Sequence, residues 1–357
     1  ARRSVPMGRA GAPQFAGATP CAAPPDVLRH GQSVAGVRQG GRRRDSAASG
    51  GDSQMATRIA LVGIGEIARN QHDPSIRGSD GWELAATVSR SGSLDGVEAF
   101  TDMDAMLAAR PDIPVVSLCL PPVPRFEYAQ KAIAAGRHVM LEKPPGATLA
   151  EVHALQRLAA DAGVILFATW HSRMAKGVAA AKVFLADKTV TTVHIDWQES
   201  VRKWHPGQKW IAEPGGMGVM DPGINALSIM TEVLPMTVHL KGGELHYPAN
   251  WQTPIKADLT FTHNVTAAFD WTRESDEQWE IHIEAGADKV ALVDGGNRCL
   301  INGAEAAQTE LGEYPALYAR MAELLASKQS DVDLSPMVHV SDAFTLGKRV
   351  TTPAFEY

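Results

Sequence analysis

Short apolar runs that alternate with amphipathic stretches constrain the fold of this chain more than any other feature of its sequence. The apolar runs lie at 58–63, 82–88, 115–119, 138–141 and 164–168. Stretches with helical periodicity, such as MDAMLAA and RFEYAQKAIAAG, lie between them. A strand, a crossover helix and a second parallel strand produce this rhythm. The pattern therefore predicts an α/β domain built on a parallel sheet.

The rhythm changes to a period of two residues beyond residue 190. Apolar and polar residues alternate in the segments TVTTVHIDWQES, KADLTFTH, TAAFDW and QWEIHIEA. Alternation of this kind is typical of strands that bury one face. We therefore expect an α+β domain with an antiparallel sheet, interrupted by one helix near Pro222 and another from Pro315 to Lys328.

The first 54 residues differ in composition from the rest of the 357-residue chain. They contain eight arginines and three aspartates, neither lysine nor glutamate, and many alanines, glycines and prolines. Few of them are large and apolar, so the segment cannot bury enough surface to become ordered. We expect residues 1–54 to be a disordered or spurious extension and the folded protein to begin near Met55. A transit peptide and a disordered binding arm are the alternatives.

Net charge and cysteine usage exclude several classes of function. Residues 1–54 carry a net charge of +5, which leaves −11 on the remainder of a chain whose total is −6. Nucleic acid needs a positive surface, so such an acidic body is a poor partner for it. Cys21, Cys119 and Cys299 lack metal-ligand spacing, so we expect no metal site and a reducing, cytoplasmic location. No apolar run approaches the ~18 residues that a membrane span needs.

A glycine-containing turn directly follows the first apolar run. Gly63, Gly65 and Ala68 fit the pattern G-x-G-x-x-A, and Glu66 and Ile67 lie between them. The first glycine permits a tight turn, the second lets the backbone approach a pyrophosphate, and the small Ala68 lets helix and strand pack closely. The start of the helix offers unpaired N–H groups to phosphate. The turn therefore predicts a dinucleotide-binding domain over residues 55–175.

The end of the second apolar run indicates which dinucleotide is preferred. An acidic residue there would bind the ribose 2′-hydroxyl of NAD. The sequence instead has Ser89 and Arg90, and no acid occurs between Leu84 and Leu94. A hydroxyl and a guanidinium group can together bind a 2′-phosphate. We therefore expect NADP to be preferred over NAD; in the alternative, Arg90 is an ordinary solvated cation.

Two further runs end in turns, at the strand ends where open α/β sheets bind ligands. Leu120, Pro121 and Pro122 follow one run, while Glu142 and Lys143 follow the next and precede two prolines. Prolines restrict the backbone, so they would hold Lys143 in position. The amine could then hydrogen-bond a sugar hydroxyl or help to deprotonate it. A surface lysine in a rigid turn is the alternative.

A second candidate for proton transfer lies in the segment GGMGVMDPGIN. Asp221 precedes Pro222, which predicts an N-cap and the first residue of a helix. Asn225 lies four residues further on, so the two side chains can share one helical face. The preceding glycines would let a ligand approach both. Capping alone is the competing explanation for Asp221.

Two mixed clusters of polar and aromatic residues have the composition of sugar-binding sites. Glu199, Trp204, His205 and Trp210 form the first cluster, and His171 belongs to the second. Sugars are held by flat apolar rings under their C–H faces and by fixed polar groups at their hydroxyls. Taken singly, each tryptophan is more often a core residue and each histidine a loop residue.

Taken together, these motifs resemble the glucose–fructose oxidoreductase and inositol dehydrogenase (Gfo/Idh/MocA) family. G-x-G-x-I-A, E-K-P and D-P-G-I-N occur in the family's order, and ATWHSRM, WHPGQKWIAEPGG, GVMDPGINALSI and EYPALYARM resemble its bacterial L-arabinose/D-galactose 1-dehydrogenase branch. The resemblance covers residues 57–357. It implies a Rossmann domain and NAD(P)-dependent oxidation of an aldopyranose at C1 to its lactone. It also implies a substrate and oligomerisation domain at 176–357 with an open-faced, mostly antiparallel sheet, whose last helix could pack back on the first domain.

The resemblance further implies roles for individual residues. The residues that contact the reacting sugar are Lys143, Asp221 and Asn225, and those that bind the rest of it are Glu199, His205, Trp204 and His171. The cofactor is held by Gly63, Gly65, Glu66, Ile67, Ser89, Arg90, Leu120, Pro121, Pro122, Glu142, Lys143 and Trp210. The Lys143–Pro144 bond is expected to be cis.

One departure from the family pattern leaves the proton acceptor open. The family usually has histidine at the position of Asn225, and asparagine cannot act as a base. The base is therefore Asp221 or Lys143, and the sequence does not rank them. An inositol or polyol dehydrogenase and a non-enzymatic sugar or cofactor sensor are the alternative functions. L-Arabinose and D-galactose differ by one CH₂OH group at C5, which the sequence does not resolve. We expect a homo-oligomer through the open sheet face.

Overall fold

The computed structural model describes residues 56–357, and the expected extension at 1–54 lies outside this range. Two β-sheets organise the described part of the chain, one of six strands and one of nine. No helix within residues 56–357 is long and apolar enough to cross a membrane.

The first sheet is parallel throughout. Its strands are β1 (Thr57–Val62), β2 (Trp82–Val88), β3 (Glu98–Phe100), β4 (Val115–Leu118), β5 (His138–Leu141) and β6 (Leu166–Ala168). Their order is β3-β2-β1-β4-β5-β6, so the direction of the chain's progress reverses between β1 and β4. A reversal of this kind opens a ligand crevice at the carboxyl ends of the two strands. The predicted Rossmann arrangement is confirmed.

Helices cover this sheet and connect its strands. They are α1 (Asp73–Arg77), which continues a π-helical turn at Ala68–His72, and α2 (Met103–Ala109), α3 (Pro122–Ala134) and α4 (Leu149–Ala162). The Thr148 hydroxyl accepts a bond from the Glu151 N–H, and the Glu151 carboxylate accepts one from the Thr148 N–H. A capping box is therefore present at the start of α4.

The second sheet is mixed but mostly antiparallel. Its strands are β7 (Thr192–Gln198), β8 (Leu240–Pro248), β9 (Lys256–Phe261), β10 (Val265–Asp270), β11 (Gln278–Ala285), β12 (Asp288–Val293), β13 (Arg298–Ile301), β14 (Ala304–Glu305) and β15 (Gly347–Thr352). Their order is β14-β13-β12-β11-β7-β10-β9-β8-β15. Two pairs, β7 with β10 and β8 with β15, are parallel. The remaining helices are α5 (Val178–Leu185), α6 (Val201–Trp204), α7 (Met220–Val233), α8 (Glu313–Ser327) and α9 (Ser335–Leu346).

The two faces of the second sheet differ in polarity. Along β7, Val193 and Ile195 are fully buried and pack in one core with residues of α5, α7 and α9. The intervening His194 and Asp196 lie on the other face, where their side chains are 3.0 Å apart. Alternation thus gives one apolar face under helices and one polar face, as the sequence predicts for an open-faced sheet.

Helix α8 follows β14 of the second sheet in sequence but packs on the first sheet. Leu317, Tyr318 and Met321 are buried in one apolar cluster with Ile59 and Leu61 of β1. Helix α8 therefore packs against β1, the strand that leads into the glycine turn.

Candidate active site

The glycine turn after β1 has the backbone geometry of a phosphate-binding turn. Gly63 has a φ of +88°, and its N–H donates to the carbonyl of Val88 at 2.8 Å. A Cβ at Gly63 would lie 2.9 Å from the Leu120 side chain, whereas one at Gly65 would meet no atom within 4 Å. Gly63 is therefore required by the fold, while Gly65 leaves open space at the start of the helix. Such a helix start can receive an anionic group.

A cleft of about 230 Å³ opens at the reversal of the first sheet. It brings together six of the residues predicted to bind the cofactor: Gly63, Gly65, Ser89, Arg90, Leu120 and Pro121. Glu66 and Ile67 stand beside the cleft on the exposed side of the helix, and the Glu66 carboxylate accepts a bond from Asn70. Pro122 is buried as the first residue of α3.

The loop after β2 presents a cation to this cleft. The Ser89 hydroxyl accepts hydrogen bonds from the N–H groups of Ser91 and Gly92 at 3.4 and 3.2 Å, which holds the loop in a tight turn. Arg90 is exposed and forms no ion pair with any residue in the described range 56–357. Its guanidinium group is therefore available to an anion in the cleft.

A buried arginine joins the two turns at the ends of β4 and β5. Arg125 donates to the carbonyl oxygens of Leu120, Glu142 and Pro144. Burial lowers the pKa of Arg125 to about 10, still high enough for the group to remain charged at neutral pH. Its charge and three bonds therefore hold the Lys143 turn, in which the Lys143–Pro144 bond is cis as predicted.

The carboxylate of Glu142 is buried under this turn. It accepts a bond from the Lys143 N–H at 2.8 Å and contacts the Nε2 atom of His72 at 3.1 Å. The Nδ1 atom of His72 lies 2.7 Å from the Tyr318 hydroxyl. Burial alone would raise the pKa of Glu142, but His72, together with the charges of His171 and Arg125, outweighs it and the pKa falls. An ionised carboxylate thus orients the backbone that carries Lys143.

Asp221 lies inside helix α7, one residue after its first residue. The predicted role of Asp221 as the N-cap, with Pro222 as the first helical residue, is wrong. The Asp221 N–H donates to the Gly218 carbonyl and the Gly223 N–H to the Val219 carbonyl, so the helical turn closes earlier. Within residues 56–357 no backbone N–H donates to the Asp221 carboxylate, which is left for other contacts.

The carboxylate of Asp221 meets the side chains of Lys143 and His205. Its Oδ2 atom lies 3.3 Å from Lys143 Nζ and 3.4 Å from His205 Nε2. Lys143 Nζ also donates to the Asp221 carbonyl at 3.1 Å. Burial would raise the pKa of Asp221, but the nearby positive charge of Lys143 outweighs it and the pKa falls. Burial lowers the pKa of His205.

Asn225 lies one helical turn beyond Asp221 and is half-buried. Its side chain makes no hydrogen bond with any residue between 56 and 357. Because residues four apart share a helical face, its amide is available on the side of α7 that carries the Asp221 carboxylate.

A second buried carboxylate completes the cluster. Glu199 accepts bonds on both oxygens, from Trp271 Nε1 at 3.0 Å and from Trp279 Nε1 at 2.8 Å. Burial raises the pKa of Glu199 to about 7, and the charges of Lys143 and Asp221 act on it in opposite directions. Each oxygen keeps a further lone pair for another donor.

Three predicted sugar-site or cofactor residues lie around this cluster rather than in contact with Asp221. The Trp210 indole donates to Gln208 Oε1 at 3.1 Å and packs edge-on against His205. Trp204 is 46% exposed and donates to Glu277. His171 contacts Glu313 at 2.6 Å.

Several residues of the site were not predicted from the sequence. They are His72, Arg125, Gln208, Trp271 and Trp279. Arg125 had a usable signal, because it is a charged residue on the otherwise apolar side of a predicted helix. The two tryptophans are part of an ordinary strand pattern, so nothing local distinguishes them.

Comparison with known proteins places this geometry in a family. The model of the GFO_IDH_MocA family, described as an oxidoreductase family with an NAD-binding Rossmann fold, matches residues 57–169. Galactose 1-dehydrogenase of Pseudomonas fluorescens is 40% identical over 303 residues, which are 84% of this chain and 98% of that protein.

Solved structures agree with this comparison. A D-galactose-1-dehydrogenase from Rhizobium etli is 48% identical, with a TM-score of 0.81 over 85% of this chain and 99% of that one. KijD10, a 3-ketoreductase from Actinomadura kijaniata in complex with NADP and TDP-benzene, is 17% identical, with a TM-score of 0.70 over 84% of this chain and 100% of that one. At that identity the second similarity concerns the fold alone.

Proposed function

The chain belongs to the GFO_IDH_MocA oxidoreductase family, and from that premise we propose that it oxidises an aldopyranose at C1 to the lactone with NADP or NAD. The observation that carries the proposal is the meeting of Lys143, Asp221 and His205 at the carboxyl end of β5. D-Galactose is the first substrate to test, because two relatives matched over almost their whole lengths are named for it. L-Arabinose has the same ring without the CH₂OH group at C5 and is the second.

The residues of the cleft fit a dinucleotide. Gly65 leaves space where a pyrophosphate would approach the helix start, and Ser89 and Arg90 stand at the end of β2, where the adenosine ribose is bound in Rossmann folds. With a guanidinium group there and no carboxylate, NADP is preferred over NAD. When bound, the oxidised nicotinamide supplies the acceptor for the hydride that leaves C1.

Asp221 accepts the proton of the C1 hydroxyl in this proposal. Its lowered pKa keeps it ionised at neutral pH, so it is ready to take a proton. Lys143 donates to the same carboxylate and can donate to O1 from the same position. Asn225 orients O1 with its amide. Loss of the hydroxyl proton and of the C1 hydride leaves the carbonyl of the lactone.

Glu199 holds ring hydroxyls of the sugar, and His205 contacts the hydroxyl that meets Asp221. The Glu199 oxygens each have a lone pair left after their indole bonds, and ring hydroxyls can donate to them. Trp204 and His171 border the sugar, and Trp210 lies toward the cofactor. Fixed polar partners of this kind select a pyranose and align C1.

The test uses the full-length chain with NADP and then NAD, over a panel of aldoses and inositols, followed by the absorbance of the reduced cofactor. We expect turnover with D-galactose or L-arabinose and a higher kcat/KM with NADP. Turnover confined to inositols, or cofactor binding without turnover of any sugar, would reject the proposal. The second outcome would point to a sensor.

A further inference from the structure

The orientation of the Gln208 amide follows from chemistry at one atom. Gln208 Oε1 lies 3.1 Å from Trp210 Nε1 and 3.3 Å from His205 Nδ1. An indole nitrogen can only donate, so the amide atom that faces it must be the oxygen. The same oxygen faces His205, and an amide oxygen can only accept. The Nδ1 atom of His205 therefore carries a proton.

This assignment determines the other ring nitrogen of His205. Burial lowers the pKa of His205, which favours the neutral ring at neutral pH. A neutral imidazole has one N–H group, so with Nδ1 protonated its Nε2 atom holds a lone pair. That lone pair lies 3.4 Å from Asp221 Oδ2, which is also an acceptor. We propose that Gln208 is a positioning residue that fixes His205 as the Nδ1–H tautomer, so that His205 Nε2 and the Asp221 carboxylate form a pair of acceptors for the proton of the reacting hydroxyl.

The pair of acceptors is suited to one kind of donor. Two acceptors repel each other, so the pair is stabilised when one donor lies close to both atoms. A hydroxyl oxygen about 2.8 Å from each atom fits opposite their 3.4 Å separation. Lys143 already donates to Asp221 from its own side. The inference that this hydroxyl is O1 of a sugar rests on the proposed function, whereas the tautomer does not.

A separate segment holds Gln208 in place. The Tyr357 hydroxyl donates to the Gln208 carbonyl at 3.0 Å, and its ring packs edge-on against Trp251 with centroids 5.0 Å apart. The Trp251 indole in turn donates to the Phe355 carbonyl at 3.1 Å. Tyr357 therefore acts on His205 through the backbone of Gln208.

The tautomer is measured directly by long-range ¹H–¹⁵N NMR of the full-length protein labelled at histidine. His205 is assigned by the signal that is lost in His205→Gln. We expect the wild type to show a protonated Nδ1 and an unprotonated Nε2. In Gln208→Leu, Nε2 gains the proton and donates to Asp221, and kcat falls at least about tenfold while KM for the sugar changes less. Gln208→Glu keeps an acceptor in place and should retain the wild-type tautomer.

A matched control is available on helix α4. Gln156 Oε1 lies 3.0 Å from His153 Nδ1, away from the cleft, so Gln156→Leu removes a similar pair and should leave kcat unchanged. Tyr357→Phe should keep the ring packing and reproduce part of the loss in kcat. An Nε2-protonated His205 in the wild type, or an unchanged tautomer in Gln208→Leu, overturns the proposal. If no sugar is oxidised, the spectra still decide the tautomer, so the two failures are distinguishable.

Discussion

The cofactor side of the cleft, around the glycine turn, and the sugar side, around Asp221, depend on different kinds of chemical group. On the cofactor side the important groups are backbone: a positive φ at Gly63, open space at Gly65 and a tight turn at Ser89. On the sugar side they are buried side chains that depend on one another, as Asp221 depends on Lys143. The comparison teaches that the turns of the first side are sensitive chiefly to added volume, whereas the second side is sensitive to a change of charge.

The largest effect is expected from removing the carboxylate on the sugar side. Asp221→Asn keeps the volume and should lower kcat at least ~100-fold, because a positioned base contributes that much or more. The dissociation constant of NADP, measured by fluorescence titration, should stay within about twofold. Asp258→Asn, on the open face of the second sheet, is the control. Near-normal turnover in Asp221→Asn would transfer the base role to Lys143 or His205.

The pH dependence of stability tests the second buried carboxylate. The pKa of Glu199 is about 7 in the folded protein against an ordinary 4.5. Its contribution is therefore fully present below pH 4.5 and is lost as the pH rises through about 7, because the unfolded chain releases the proton first. The full loss is about 3 kcal/mol, from 1.36 kcal/mol for each unit of pKa difference, and most of it falls between pH 5 and pH 8.

Glu199→Gln isolates this contribution. The amide has one acceptor oxygen for two indoles, so one indole N–H loses its acceptor and the variant has a lower free energy of unfolding. This loss does not change with pH, because an amide does not titrate. Urea unfolding at pH 5 and pH 8 should show the wild type losing about 2–3 kcal/mol more than Glu199→Gln across that interval. The other titrating groups contribute equally to the pH dependence of both proteins, so their contributions cancel in this difference. Parallel curves for the two proteins would show that Glu199 is ionised throughout.

Two glycine variants separate fold from binding on the cofactor side. Gly63→Ala strains a positive φ and meets Leu120, so it should cost about 2 kcal/mol of unfolding free energy. Gly65→Ala meets no protein atom, so thermal unfolding without ligand should be unchanged, while NADP binds about tenfold more weakly. Equal loss of stability in both variants would remove the distinction between the two glycines.

The same difference explains what could be predicted from the sequence. A glycine turn after a strand is local, so Gly63, Gly65 and the parallel sheet were predictable from spacing and periodicity. Lys143 and Asp221 are 78 residues apart and Glu199 and Trp279 are 80 apart, so their meeting depends on how two sheets are placed. Composition indicated that such residues belong to one site, but not which atoms meet.

The N-cap error at Asp221 has the same origin. Aspartate before proline is a good local signal for a helix start, so the sequence predicts one at Asp221. The backbone bonds of Gly218 and Val219 start the helix earlier, and they depend on a loop packed against Pro254. Tertiary contacts therefore override the local preference for a helix start at Asp221, whose carboxylate contacts Lys143 and His205 instead. Sequence-based predictions are expected to fail at functional residues of this kind.

The smallest effect concerns the exposed cation of the cofactor side. Arg90→Ala should weaken NADP binding about fivefold, or ~1 kcal/mol, because the guanidinium is solvated and its contact with a 2′-phosphate is partly screened. NAD has no 2′-phosphate, so its dissociation constant should not change. Arg69 lies against the same loop, near Gly92, but does not line the cleft, so Arg69→Ala controls for net charge. The NADP penalty in Arg90→Ala should shrink as salt is added. Equal weakening of NADP and NAD would mean that Arg90 acts on the pyrophosphate or the loop and that the NADP preference has another source.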